Sequence, residues 1–89
     1  MSNKQKYVYL LKAGRRYKIG VSLNVEARVK QLQTGNSKTI KQVFSKRKKN
    51  AFYIEKSLHT IFHRKRLNGE WFRLNLFDRT LIRFLLWYI

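Results

Sequence analysis

Apolar and polar positions divide the chain into short, differently phased blocks. Tyr7 to Lys12, "YVYLLK", is aromatic, β-branched and aliphatic, and predicts a strand. Ala13-Gly14-Arg15-Arg16 supplies a turn, and Tyr17 to Val21 predicts the returning arm of a hairpin. After Gly20 the spacing changes. Asn24 is a good N-cap, and Val25, Ala27, Val29 and Leu32 give an imperfect apolar side for a short helix, with Gly35 suited to a left-handed C-cap. Thr39 to Ser45 predicts a third strand through Ile40, Val43 and Phe44. Asn50 then opens the clearest helix, Ala51 to His63, whose Ile54, Leu58, Ile61 and Phe62 recur at helical spacing. "EWFRL" reads as a short edge strand. Asn75 or Asp78 caps a last helix, Thr80 to Tyr88, with Leu81, Phe84, Leu85 and Tyr88 along one face. The order is ββαβα with a further helix at the C-terminus, an α+β arrangement.

Composition narrows this to one domain, residues 1–89. There is no proline, glycine occurs four times, and no repeat, linker or low-complexity tract interrupts the pattern. An apolar fraction of 44%, with 15% aromatic, is enough for a modest core. Charge changes the picture more. Lys and Arg number 21 against 4 Asp and Glu, a formal net charge of +17. Self-repulsion at that density opposes compaction, so the natural partner is a polyanion, and nucleic acid fits best. The cations are spread along the chain and do not line one amphipathic helix, which argues against a membrane surface. Arg15 and Arg16 in the turn are candidate phosphate contacts. The run Lys46-Arg47-Lys48-Lys49, placed between the third strand and the long helix, is a solvated loop or a second such contact. Absence of cysteine excludes disulfides and thiolate metal sites. The N-terminus lacks the pattern of a signal peptide, and "LIRFLLWYI" is far shorter than the ~20 apolar residues of a spanning helix. An intracellular protein is expected.

Among the remaining polar residues, Glu55 stands out. It is one of four acids and lies beside the apolar stripe of its helix, where a carboxylate is costly unless paired or bound to a cation. A salt bridge to Lys56 or Arg28 is the plain alternative. Glu55, His59 and His63 recur one turn apart, but three successive turns span ~12 Å, too far to share one zinc ion. His59 is better read as a catalytic or phosphate-contacting group, and His63 as facing solvent or DNA. There is no Gly-rich phosphate loop and no nucleophile elbow. With so few carboxylates, any metal chemistry must use one ion and one carboxylate.

Taken in order, "Y-V-Y", "K-I-G", Ser22, Arg28 and the glutamate of "AFYIEKSLH" resemble the GIY-YIG nuclease superfamily. The resemblance is closest to its small viral, phage and bacterial domains, where "Y-K-I-G", "R-x-x-x-L-x-T-G-N", "E-K-x-L-H" and "G-E-W-F" follow one another. It covers about residues 7–74, leaving a docking helix at about 78–89. It implies a three-stranded antiparallel sheet flanked by helices, with Gly20 and Ser22 as structural motif positions. It also implies metal-dependent hydrolysis of DNA phosphodiester bonds. Tyr9 and Lys18 would face each other at the active site, either serving as base; Arg28 would stabilise phosphoryl charge; Glu55 would hold Mg²⁺ or Mn²⁺. Leu32 departs from the resemblance where many members carry histidine, and His59 is the candidate to replace that contact. Asn68 is the candidate for the asparagine found near the last core strand. These departures leave a rival reading, a catalytically inactive nucleic-acid-binding module on the same fold. Cutting both strands would need a homodimer or sequential nicking.

Overall fold

The computed structural model describes residues 6–88; Met1 to Gln5 and Ile89, parts of the expected domain and last helix, lie outside the described residues. The elements are β1 (Lys6–Ala13), β2 (Arg16–Ser22), α1 (Val25–Thr34), β3 (Ile40–Lys48), α2 (Ala51–Ile61), a 3₁₀ turn (His63–Lys65), β4 (Arg66–Asn68), β5 (Trp71–Phe72) and α3 (Leu76–Tyr88). The α+β class and the ββαβα order stand. The sheet, however, has five strands, not three, in the order β3-β1-β2-β5-β4. β5 is the strand expected in "EWFRL", though not at the edge, and β4 is additional; the two form a small hairpin around Gly69, whose φ of 52° supplies a left-handed turn that glycine adopts without strain.

Alternation along β1 gives the sheet two cores. Val8 and Leu10, with Tyr17, Ile19 and Phe72, pack under α2 and α3 against Ile54, Leu58, Ile82 and Leu86. Tyr9, Leu11 and Ala13 pack on the other face with Val25 and Ile40, and Val29 and Leu32 of α1 close over them. Leu32 thus serves the smaller core, which is what stands in place of the histidine of the resemblance.

Helix boundaries differ from the sequence expectations for local reasons. Asn24 caps α1 as expected, its Oδ1 accepting from the Ala27 backbone N–H at 3.0 Å. Gly35 ends that helix at φ −101°, so its C-cap is not left-handed. Asn50 occupies the N-cap of α2 but makes no side-chain capping bond. Helix α3 starts at Leu76, earlier than Thr80. Asn75 Oδ1 accepts from the Asp78 N–H (2.8 Å) while Asp78 Oδ2 accepts from the Asn75 N–H (3.0 Å), so both candidate caps act together. With that start, Ile82 and Leu86 face the core, while Phe84 and Tyr88, expected to be buried, are exposed. Ile61 is exposed as well, because α2 ends there and Phe62 turns inward instead. No helix of the described residues is long and apolar enough to cross a membrane.

The basic run is placed differently from expectation. Lys46, Arg47 and Lys48 extend β3 at the outer edge of the sheet and only Lys49 enters a turn. Charged side chains on an edge strand discourage pairing with another chain. Lys46 Nζ lies 4.6 Å from the Trp87 ring centroid, while Arg47 and Lys49 are exposed.

Gly20 has a steric duty. It pairs with Tyr9 across the hairpin, and a Cβ placed there would come within 2.4 Å of the Tyr9 hydroxyl oxygen. The ring can cross β2 only because no side chain stands in its path. Gly20→Ala is therefore expected to displace Tyr9 and to cost about 1–3 kcal/mol of stability, read from urea unfolding. Adding Tyr9→Ala should relieve the overlap, so that Gly20→Ala costs less in that background; an equal cost in both would contradict this origin.

Candidate active site

Strand β2 is paired along its whole length with β1, but on its other side β5 reaches only Tyr17 and Lys18. The backbone beyond is closed by two separate contacts. The Ile19 N–H donates to the Glu70 carbonyl (3.3 Å), and the Ile19 carbonyl accepts from His59 Nε2 (2.9 Å). Since a carbonyl can only accept, the proton of neutral His59 sits on Nε2, leaving Nδ1 as its free lone pair. The Phe72 ring meets the imidazole edge-on, 4.9 Å between centroids, and fixes its plane.

An open cleft of about 470 Å³ lies beside this edge, lined by Glu55, His59, Arg66, Gly69 and Glu70 among others. Glu55 is 8% exposed, yet among the described residues its carboxylate has no hydrogen bond and no ion pair. That is unexpected in a chain with 21 cations. Two of the other three acids are paired: Glu70 with Lys18, and Asp78 with Lys65. The third, Glu26, is exposed in the first turn of α1, where a negative charge complements the helix dipole. Salt bridges from Lys56 or Arg28 to Glu55, the plain alternative, are not formed. Burial pushes the Glu55 carboxyl above the usual carboxylate range, and the nearby Glu70 charge adds to the rise; His59, Lys18 and Lys56 offset part of it.

Tyr9 and Lys18 share one face of the hairpin but stand diagonally: Tyr9 is opposite Gly20, and Lys18 is opposite Leu11. Burial raises the Tyr9 phenol above its ordinary 10.0; the adjoining Arg28 guanidinium pulls the other way, and Glu70 and Glu55 add to the rise. Lys18 is itself buried. Its ammonium lies 3.1 Å from Glu70 Oε1 and 5.4 Å from the centroid of Trp71, which also carries the Arg16 guanidinium at 5.5 Å. The fold therefore gathers Tyr9, Lys18, Arg28, Glu55 and His59 within electrostatic reach of one edge.

Other expected site residues fall elsewhere. Asn68 is exposed on β4 and does not line the cleft. Arg15 is exposed at the hairpin turn, and Lys46 to Lys49 lie beyond β1 from the cleft. Ser22 is structural: its hydroxyl accepts from the Asn24 N–H (3.1 Å) and donates to the Asn24 carbonyl (3.0 Å), fixing the entry to α1. Sequence reasoning left Glu70 among the polar candidates without giving it a role, and it missed Trp71. Their signal was present in the tetrapeptide Gly69-Glu70-Trp71-Phe72, which places an acid and an aromatic ring next to a tight turn.

No resident cation need be zinc-like. No group of three or more His, Cys, Asp or Glu side chains converges among the described residues, and His59 spends Nε2 on the backbone. One buried, unpaired carboxylate beside an open cleft fits a hard, largely hydrated ion such as Mg²⁺ or Mn²⁺.

The family model that matches this small basic α+β domain points to a module of the nuclease-like or DNA-binding kind. The chain is a member of the T5orf172 domain family, whose profile matches residues 6–87, nearly its whole length. No curated protein and no solved structure matches it significantly.

Proposed function

We propose that the chain is a DNA endonuclease of the GIY-YIG type that hydrolyses phosphodiester bonds with one divalent cation. The observation that carries this reading is Glu55, a largely buried residue whose carboxylate opens, without a hydrogen bond or ion pair among the described residues, on a cleft that Lys56 and Arg66 also line. A largely desolvated carboxylate held without a direct partner costs stability, and a role in cation binding accounts for its retention. A bound Mg²⁺ or Mn²⁺ at Glu55 would supply charge stabilisation for the phosphoryl oxygens and leaving group.

The protein's own groups have separable roles. Arg28, whose guanidinium is steadied by Gln31 Oε1 (3.2 Å), neutralises charge on the non-bridging oxygens and favours the Tyr9 phenolate. Lys18 offers a buried ammonium to the same phosphate. Tyr9 orients the attacking water and becomes a base only in the phenolate form, which its raised pKa makes scarce at neutral pH. Cleavage with Tyr9 as base should accordingly rise with pH up to and beyond pH 10. His59, anchored through Nε2, keeps Nδ1 for a proton or a hydrogen bond.

The rival, a binding module without catalysis, draws on the same raised Tyr9 pKa and on Leu32 packed in the core. One assay separates them. Wild-type protein and Arg28→Ala are compared on duplex, single-stranded, branched and supercoiled DNA with Mg²⁺ or Mn²⁺. The nuclease reading expects wild-type cutting and a loss of about 10²–10³-fold or more in Arg28→Ala, with only a modest loss of binding. Tight wild-type binding with no cutting on any substrate would establish the binding module instead.

A further inference from the structure

The Lys18–Glu70 pair has an asymmetry that the catalytic reading does not use. The Lys18 side chain is 8% exposed and that of Glu70 42%. The lysine is thus fixed inside, held between the Trp71 ring and the strand, while its partner reaches in from a turn beside the cleft. Glu70 is also the only ion-pair partner that the ammonium has among the described residues. A buried ammonium needs a counter-charge at all times, but the identity of that counter-charge is free to change.

Glu55 supplies the second half of the observation. It lines the same cleft as Glu70, more than nine-tenths buried and with no partner of its own. Two carboxylates therefore border one cavity, one waiting and the other occupied by a lysine. Resting on the nuclease reading above, we infer that the Lys18–Glu70 ion pair is an exchangeable latch: a phosphodiester oxygen takes over Lys18, and the released Glu70 joins Glu55 as a second carboxylate for the divalent cation. While Lys18 holds Glu70, the cation meets one carboxylate and a nearby positive charge, and binds weakly. Once phosphate neutralises Lys18, the cation meets two carboxylates. Nucleic acid and cation then bind cooperatively, and the site is assembled fully only with substrate in place. The exchange breaks and forms ion pairs only, and charge balances: the phosphate replaces the carboxylate on Lys18, and the cation replaces the ammonium on Glu70.

Lys18→Met opens the latch without nucleic acid, since it removes the ammonium but keeps an apolar side chain of similar length against Trp71. The probe is Mn²⁺ alone, with free ion measured by electron paramagnetic resonance on wild type, Lys18→Met, Glu70→Gln, the double variant and Glu55→Gln, each verified as folded by circular dichroism. Lys18→Met should tighten Mn²⁺ binding at least about fivefold, and that gain should vanish when Glu70→Gln is added. A gain of equal size in both backgrounds would mean that only the removed charge of Lys18 matters, and would overturn the latch. Lys18→Met binding no tighter than wild type would overturn it equally. Mn²⁺ binding indifferent to Glu55→Gln would remove Glu55 from the cation site and overturn the nuclease reading together with the latch that rests on it, whereas binding that needs Glu55 but shows no Lys18–Glu70 coupling would overturn the latch alone.

Discussion

Glu55→Gln is expected to abolish metal-dependent cleavage while making the folded protein more stable. The substitution keeps side-chain size and removes the charge that attracts the cation. Cleavage with Mg²⁺ or Mn²⁺ should fall by about 10²-fold or more, and DNA binding without metal should hold or tighten slightly, because one negative charge beside the phosphate is gone. The stability effect follows from the direction of the pKa. Burial raises the Glu55 pKa in the folded state above its ordinary 4.5, so this group favours folding while protonated, below the unfolded value. That contribution is lost as pH rises through the folded pKa. At pH 7 the carboxylate is therefore a burden on the fold, which Gln does not carry. A relief of ~1 kcal/mol would raise the melting temperature by about 4–8 °C at pH 7, with no gain near pH 3. Melting curves at the two pH values, beside a cleavage assay, test both halves. A Glu55→Gln protein that is less stable at pH 7 would show that the carboxylate is a structural partner, and retained cleavage would remove it from catalysis.

DNA affinity should collapse with salt. Arg15, Arg16, Arg47 and Lys49 are exposed at separate places on the surface, and the net charge is +17. If about five to eight phosphates are neutralised, log K against log salt should fall with a slope of roughly −4 to −7. Between 50 and 200 mM salt those slopes correspond to a drop in affinity of about 250-fold to about 16,000-fold. Fluorescence anisotropy with a short labelled duplex measures this directly. A slope near zero would mean that contacts other than phosphate neutralisation hold the complex. Arg47→Ala should lower the slope by about one if that side chain meets a phosphate. Its place on β3, away from the cleft, makes it a probe of binding alone.

Much of this architecture was legible in the sequence where local chemistry decides it. The β1–β2 hairpin, the Asn24 cap and the order of elements follow from residue type and spacing. So does the suspicion attached to Glu55, since a lone acid beside an apolar stripe in a cationic chain is conspicuous. What was not legible depends on partners far along the chain. "EWFRL" did announce β5, but not that β4, three residues long and too short for any periodicity to reveal, would pair outside it and take the edge of the sheet. The exposed side of α3 was misread because the helix is apolar around most of its circumference, so spacing alone could not say which stripe meets the sheet. The pairing of Lys18 with Glu70 joins residues far apart in sequence through a short strand that the pattern did not specify with a partner.

The shortness of β5 bears on how damage would spread. The candidate site straddles the stretch of β2 that β5 leaves unpaired and draws Tyr9, Lys18 and Arg28 from the side of α1, Glu55 and His59 from α2. It is a seam between two half-sites, each anchored in its own core. A substitution that loosens only the larger core, such as one at Leu86 in α3, would shift the Glu55 half relative to the Tyr9 half while the hairpin stayed paired. Catalysis and folding would then fail at different thresholds, with registration across the seam lost before the sheet itself.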